Sequence, residues 1–362
     1  MTLQHLIAPI AAHFEIDPES VRLGPIQHGT RFRHNVCHLN VNTDRYLLKQ
    51  HDIKTAVVES GYTPCQIETE VVSVLHRNGC KVPQVVWSSA ELHALLLEWC
   101  GEQTLDAIAQ GAEDPPADIK PLLEKILREF GKIESCFALH AEHFAPYVFP
   151  FNAHENLKDL LERGVKVIGY LSHLGEKPMA SAQADALIEK WNALAVRLQL
   201  APTALGGLDN NARNIVVSEG VPVFIDFASI GWNWQEIRLV QLFNSIGAFL
   251  STGGESANFV SLLDAELVST YAEWVCTHRE TGSAAAVAAR VDAHHLLFYL
   301  SVIHQLIQAI AQPEITESKM LLEAWGDAKP RFQCALTQII DADLSDDADT
   351  AEIRAMIGEF RA

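Results

Sequence analysis

Residues 206–227 read GGLDNNARNIVVSEGVPVFIDF. Two short apolar runs, 215–217 and 221–225, flank the polar triplet Ser218, Glu219 and Gly220, so the stretch reads as a small β-hairpin turning at that triplet. A hairpin needs no particular oxygen donors to fold. This one nevertheless has an acid before it (Asp209), an amide at its entrance (Asn214) and a second acid at its end (Asp226). A hard divalent cation such as Mg²⁺ takes oxygen ligands and usually binds through one or two carboxylates plus substrate phosphates. On that reading Asn214 and Asp226 offer oxygens at the open end of the hairpin, and Asp209 receives a proton from an attacking hydroxyl. Asx residues also make turns, so each of the three alone has a plain structural explanation. Their joint spacing, two strands after the first acid, is what points to a site.

Working outward, the chain before residue 98 reads mainly as strands. The runs RFRHNVCHLNV (31–41) and RYLLKQH (45–51) are separated by Asn-Thr-Asp and suggest a hairpin. In CQIETEVVSVLHRNG (65–79), Ile67, Val71, Val74 and Leu75 recur at helical spacing and the pattern stops at Gly79. KVPQVVWSS and LHALLLEWC then read as two further strands. From about residue 116 helical periodicity takes over, in segments beginning near Ile119, Glu155, Ala182, Gln235, Asn258 and Ala284, with the polar hairpin set among them. The acidic run DADLSDDADTAE (341–352) reads as a solvated surface segment. The expected fold class is therefore α+β with two lobes, a strand-rich N-lobe at 1–98 and a mainly helical C-lobe at 99–362 that carries the hairpin (206–228), and a ligand cleft between them.

Composition narrows the function classes. A chain of 362 residues, 48% hydrophobic, has enough apolar side chains for a proper core. Its net charge of −19 argues against nucleic acid and anionic membrane surfaces, both of which are bound through Lys and Arg. No apolar run reads as long enough to cross a bilayer, and the N-terminus lacks a signal-peptide pattern, so no membrane partner is expected. The seven cysteines show no CxxC pair and no regular spacing, which suits reduced thiols in a cytoplasmic protein. His140 with His143, and His294 with His295, lack a third nearby metal ligand. Trp232 and Trp234 could wall a cationic ligand or simply pack the lobe. There is no GxSxG nucleophile elbow.

LDNNARNIV followed by FIDF resembles the catalytic segment of the aminoglycoside and choline phosphotransferase family, small-molecule kinases with a protein-kinase-like fold. The resemblance implies ATP and Mg²⁺ as cofactors, Asp209 as the catalytic base, and Asn214 and Asp226 as metal ligands. It also implies that Lys49, at the end of RYLLKQH, contacts the α- and β-phosphates and that Glu68 in the following helix pairs with it, Glu70 being the alternative. Gly29 stands in the place of the phosphate loop, and backbone groups from Glu98 to Cys100 stand where adenine is met. The resemblance covers roughly residues 20–245. The implied reaction moves the γ-phosphate to a hydroxyl of a small-molecule acceptor: an aminoglycoside, choline, an amino alcohol or a sugar. The chain departs from the family twice. Gly207 replaces the His two residues before the catalytic Asp, and Arg238 stands where an Asp follows the Gly-Trp motif. Those positions brace the loop in kinase-like folds. Their loss leaves two readings, a rewired but active kinase and a nucleotide-binding pseudokinase that works through a partner.

Overall fold

The computed structural model describes residues 3–28, 31–114, 117–174, 179–247, 259–278 and 282–360. A single 3₁₀ turn (Leu3–Leu6) and helix α1 (Ile7–His13) precede a five-stranded antiparallel sheet. Its strands are β1 (Val21–His28), β2 (Arg31–Val41), β3 (Asp44–Gln50), β4 (Val85–Ser89) and β5 (Ala94–Glu98), in the order β1-β2-β3-β5-β4. Asn42, at φ 54°, lets a two-residue turn join β2 to β3, because Asn tolerates the left-handed region better than most residues. Side chains alternate across the sheet. Leu39, Leu48 and Leu96 go to one face and bury Leu6 and Ile10 of the N-terminal helical segment. Leu95 and Leu97 go to the other, against Cys65 of helix α2 (Pro64–Arg77), with Leu47 packed beside them. Lys49 is two residues from Leu47 and so belongs to the α2 face.

Helix α2 begins at a Thr63–Gln66 capping box with Pro64 in its first turn, and it ends before Gly79, whose φ of 73° suits the C′ position. The helical part opens with β6 (Gln103–Thr104), α3 (Leu105–Gly111), α4 (Lys120–Leu139), a four-residue α5 (Ala141–Phe144), α6 (Ala153–Leu174) and α7 (Ser181–Gln199). Four short strands follow: β7 (Ala204–Gly207), β8 (Ile215–Ser218), β9 (Val221–Phe224) and β10 (Ile230–Asn233). They form two small sheets, β6-β8-β9 and β10-β7. The chain continues through α8 (Gln235–Asn244), α9 (Ala265–His278), α10 (Ala284–Ala311), α11 (Thr316–Trp325), α12 (Ala328–Ile340) and α13 (Ala348–Glu359).

Three sequence expectations need correction. Helix α10 does have the length and apolar character to cross a bilayer, but most of it is buried within the protein. It is the central core helix: Leu296, Leu300 and Ile303 join one apolar cluster, and Val287 and Val291 another. The acidic run at 341–352 is not simply solvated. Asp347 caps α13 through the Thr350 amide (3.0 Å) and grips Arg197 of α7 at 2.5 and 2.8 Å, while Leu344 and Thr350 are buried. Finally, α9 starts at Ala265 and not near Asn258, because Leu262 donates to the carbonyl of Phe243 (2.9 Å) and Asp264 caps the helix by accepting from the Leu267 amide (2.7 Å).

Candidate active site

The α2 face of the sheet explains the first pair. Lys49 Nζ lies 3.0 Å from Glu68 Oε1 and 2.8 Å from Oε2, and 2.7 Å from Asp226 Oδ1, a residue 177 positions later in the chain. Glu68 is 1% exposed, and its Oε2 also lies 2.7 Å from His51 Nε2. Burial works against charge on Lys49, but the Glu68 and Asp226 carboxylates outweigh it and hold the ammonium above the ordinary lysine range. Burial would likewise raise the Glu68 carboxyl, yet Lys49 and then His51 bring it down to about 2. Glu70 faces elsewhere and meets His143 at 2.9 Å, so between the two acids of α2 it is Glu68 that reaches Lys49. His51 was not singled out in the sequence. Only its two-residue offset from Lys49, which places it on the same strand face, could have hinted at it.

The hairpin turns as expected at Glu219 (φ 50°) and Gly220 (φ 72°), the paired positive angles of a type I′ turn. Its open end gathers the polar residues. Asn214 closes a 3₁₀ turn (Ala212–Asn214) just before β8, one residue earlier than a strand start, and its carbonyl accepts from the Ile225 amide at 2.9 Å. Asp226 follows at φ 69°, a left-handed conformation uncommon outside glycine, which turns the chain out of β9 and lets its carboxylate meet Lys49. The Asn214 amide nitrogen donates to the Asp209 carbonyl (3.0 Å) and to Asp209 Oδ2 (3.3 Å), and Asn211 donates to Asp209 Oδ1. The loop itself is pinned by Asn210, which donates to the Gly207 carbonyl (2.7 Å), and by the Ala212 amide, which donates to Ser245 Oγ (2.8 Å). Asp209, Asn214 and Asp226 together line a small, shallow hollow, with Gly207, Ile215 and Phe227 among its other walls.

The donor set of that hollow suits a hard cation. Asn214 spends its nitrogen on Asp209, which leaves its Oδ1 oxygen, and Asp226 adds a carboxylate beside it. Among the described residues no group of three or more His, Cys, Asp or Glu side chains could hold a metal alone, so substrate oxygens would have to complete the shell. Gly29 lies outside the described residues. At the connector, the Glu98 amide donates to the Gln84 carbonyl (2.9 Å), and the Glu98 carbonyl accepts the Cys100 thiol at 3.6 Å. Trp234 is fully buried, donating Nε1 to the Ala201 carbonyl (2.9 Å), so of the two tryptophans only Trp232 is open to solvent. His294 and His295 are buried in α10, and burial depresses both, His294 to about 3.

Both departures from the family pattern have structural counterparts. Gly207 faces the Phe227 ring, where an added Cβ would meet ordinary contacts at 3.6 Å and beyond. Arg238 is wholly buried and forms a fork with Glu134 of α4, Nε to Oε1 at 2.9 Å and Nη2 to Oε2. Neither Glu134 nor its partnership was legible in the sequence.

A model of the phosphotransferase enzyme family matches residues 23–282, a span that holds Lys49, Glu68, Asp209, Asn214 and Asp226. No curated protein matches the chain by sequence. Among solved structures, the choline kinase of Cryptosporidium parvum Iowa II superposes with a TM-score of 0.51 at 12% identity, covering 92% of this chain and 94% of that one. That likeness shows the two-lobed kinase-like fold. A choline/ethanolamine kinase family protein of Mesorhizobium loti (TM-score 0.48, 14% identity, 99% of each chain) and the ethanolamine kinase of Plasmodium vivax (0.48, 13%, 88% of this chain and 85% of that one) are also similar.

Proposed function

Since the chain belongs to the phosphotransferase enzyme family, we propose that it moves the γ-phosphate of ATP, with Mg²⁺, to a hydroxyl of a small molecule. One observation carries the reading. Lys49 of the strand-rich part reaches Asp226 of the helical part, and Asp226 shares its hollow with Asp209 and Asn214. Phosphoryl transfer has a loose transition state that is mostly spread negative charge, so the protein's work is positioning and neutralisation. In this proposal Lys49 donates to the α- and β-phosphates while Glu68, itself fixed by His51, keeps the ammonium in place. Asn214 Oδ1 and the Asp226 carboxylate would hold the cation, which when bound would neutralise developing phosphate charge. Asp209 orients the acceptor hydroxyl and takes its proton, its carboxylate held towards the hollow by Asn211 and Asn214. Residues 1–98 would form the nucleotide-binding lobe, with Gly29 over the phosphates and Glu98 to Cys100 along the adenine edge, and 99–362 the acceptor-binding lobe. The seven cysteines are free, which fits a reducing cytoplasmic setting. The net charge of −19 favours a cationic acceptor such as an amino alcohol or aminoglycoside.

The test is transfer from ATP across a panel of hydroxyl compounds, with Mg²⁺ and with EDTA, beside thermal shifts under the same conditions. Magnesium-dependent phosphorylation of at least one compound supports the proposal. A magnesium-dependent nucleotide shift with no transfer and no hydrolysis would favour the partner-directed pseudokinase. No nucleotide shift at all would remove both.

A further inference from the structure

We propose that Arg238 and Glu134, with Gly206, form a clasp that positions Asp209 and Asp226, replacing the brace that the family pattern places on other residues; the idea rests on the phosphotransferase reading above. The argument starts from the register. Ala204, at the start of β7, pairs with Asn233, at the end of β10. Arg238 Nη1 donates to both of their carbonyls, at 3.0 and 3.2 Å, so one nitrogen closes the last rung of the two-stranded ribbon. The other end of the same ribbon leads into both acids. Beyond Gly207 the Leu208 amide donates to the Ser229 carbonyl (3.1 Å), Asp209 comes next, and β10 begins four residues after Asp226. Orienting the ribbon at the clasp therefore sets the separation and aim of the two carboxylates.

The remaining donors of Arg238 explain why the clasp is rigid. Nε and Nη2 take the two oxygens of Glu134, a buried bidentate pair that fixes the guanidinium plane. A buried ion pair is seldom the most stabilising way to pack two helices, and apolar residues of similar volume often do as well or better. The polar solution has a use here that an apolar one lacks, since it satisfies two strand carbonyls from α8. Gly206 completes the device. A Cβ there would lie 2.6 to 2.8 Å from Cζ, Nε and Nη2 of Arg238, and the guanidinium, held on every side, has nowhere to retreat. Lysine cannot replace it, because a point charge cannot serve a carboxylate fork and two carbonyls together.

Three variants of the full chain test this: Gly206→Ala, which alters no charge; the double variant Glu134→Gln with Arg238→Met, which leaves no unpaired buried charge; and Leu48→Ala, a control in the separate apolar cluster of the N-terminal sheet. Each is measured for thermal stability, for hydrogen exchange of peptides spanning 204–211 and 226–233, and for Mg²⁺-dependent ATP hydrolysis. The clasp predicts several-fold faster exchange confined to those two peptides in the first two variants. It also predicts kcat lower by about 10²-fold, with KM for ATP within about twofold of the parent. The control should lose stability without either change. Exchange no faster than in the control, or unaltered kcat despite faster exchange, would overturn the clasp. A parent protein that neither binds nor hydrolyses ATP would instead remove the phosphotransferase reading, and the exchange data alone would then decide whether the clasp orders the ribbon.

Discussion

Replacing Glu68 by Gln keeps the size of the side chain and removes its charge, which isolates what the carboxylate does in the site. Glu68 is 1% exposed, receives Lys49 at 2.8 and 3.0 Å, and touches His51 at 2.7 Å. Its carboxyl lies at about 2 instead of the usual 4.5, so the charged form is favoured in the folded protein by roughly 3 kcal/mol, at 1.36 kcal/mol per unit. Gln imitates the protonated carboxyl, and breaking a buried pair from one side has a cost of the same order, about 3–5 kcal/mol. Equilibrium denaturation at pH 7 should therefore show Glu68→Gln less stable by about 3 kcal/mol. The sign with pH follows from linkage. A carboxyl depressed by folding stabilises fully above its unfolded value of 4.5 and loses that stabilisation as pH falls towards about 2. Between pH 5.5 and pH 3.5 the gap between parent and variant should accordingly shrink by about 1.4 kcal/mol. A gap below about 1 kcal/mol at pH 7, within the range of exposed pairs, or one that stays flat across that window, would refute the claim that Lys49 and Glu68 form a committed buried pair.

Three further outcomes are expected. Asp209→Asn should lower turnover by about 10²–10⁴-fold while leaving the dissociation constant for ATP nearly unchanged by calorimetry; equal loss of binding would contradict its assigned role as base. Asp226→Asn should erase most of the magnesium dependence of nucleotide binding, read by titrations with metal and with EDTA, and persistence of that dependence would move the cation elsewhere. Asp347→Ala should destabilise the protein by about 2 kcal/mol through the lost cap and the freed Arg197, and hydrogen exchange should localise the loosening to α13. A neutral effect on stability would return residues 341–352 to a merely solvated role.

What the sequence revealed and what it hid differ in range. Strand alternation is written in neighbouring residues, so Leu47, Leu48 and Lys49 announce their faces directly, and the face of Lys49 leads to α2. The turn at Glu219 and Gly220 is equally local, as is the stop of α2 at Gly79. The motif spacing of Asp209, Asn214 and Asp226 was legible because a hairpin with a two-residue turn fixes where its ends lie. Helices α1 and α3, of seven residues each, are too short to show a helical period, and α13 starts inside the acidic run 341–352, whose charges hide its few apolar positions. The start of α9 was misread because Val260 and Leu262 continue an apolar pattern while their backbones serve α8 and the residues after it.

Arg238 shows why that limit matters for function. From the sequence it is a substitution of opposite charge at a bracing position, and opposite charge suggests a lost interaction. In the fold, the missing term is Glu134, 104 residues away on α4, whose carboxylate turns a guanidinium from a misplaced cation into an oriented pair of donors. An aspartate at 238 could accept backbone amides, whereas an arginine can only donate, so the brace has shifted from amides to the carbonyls of Ala204 and Asn233. Polarity reversed in this way requires both a buried counter-charge and room for the guanidinium, and Glu134 and Gly206 meet those two requirements.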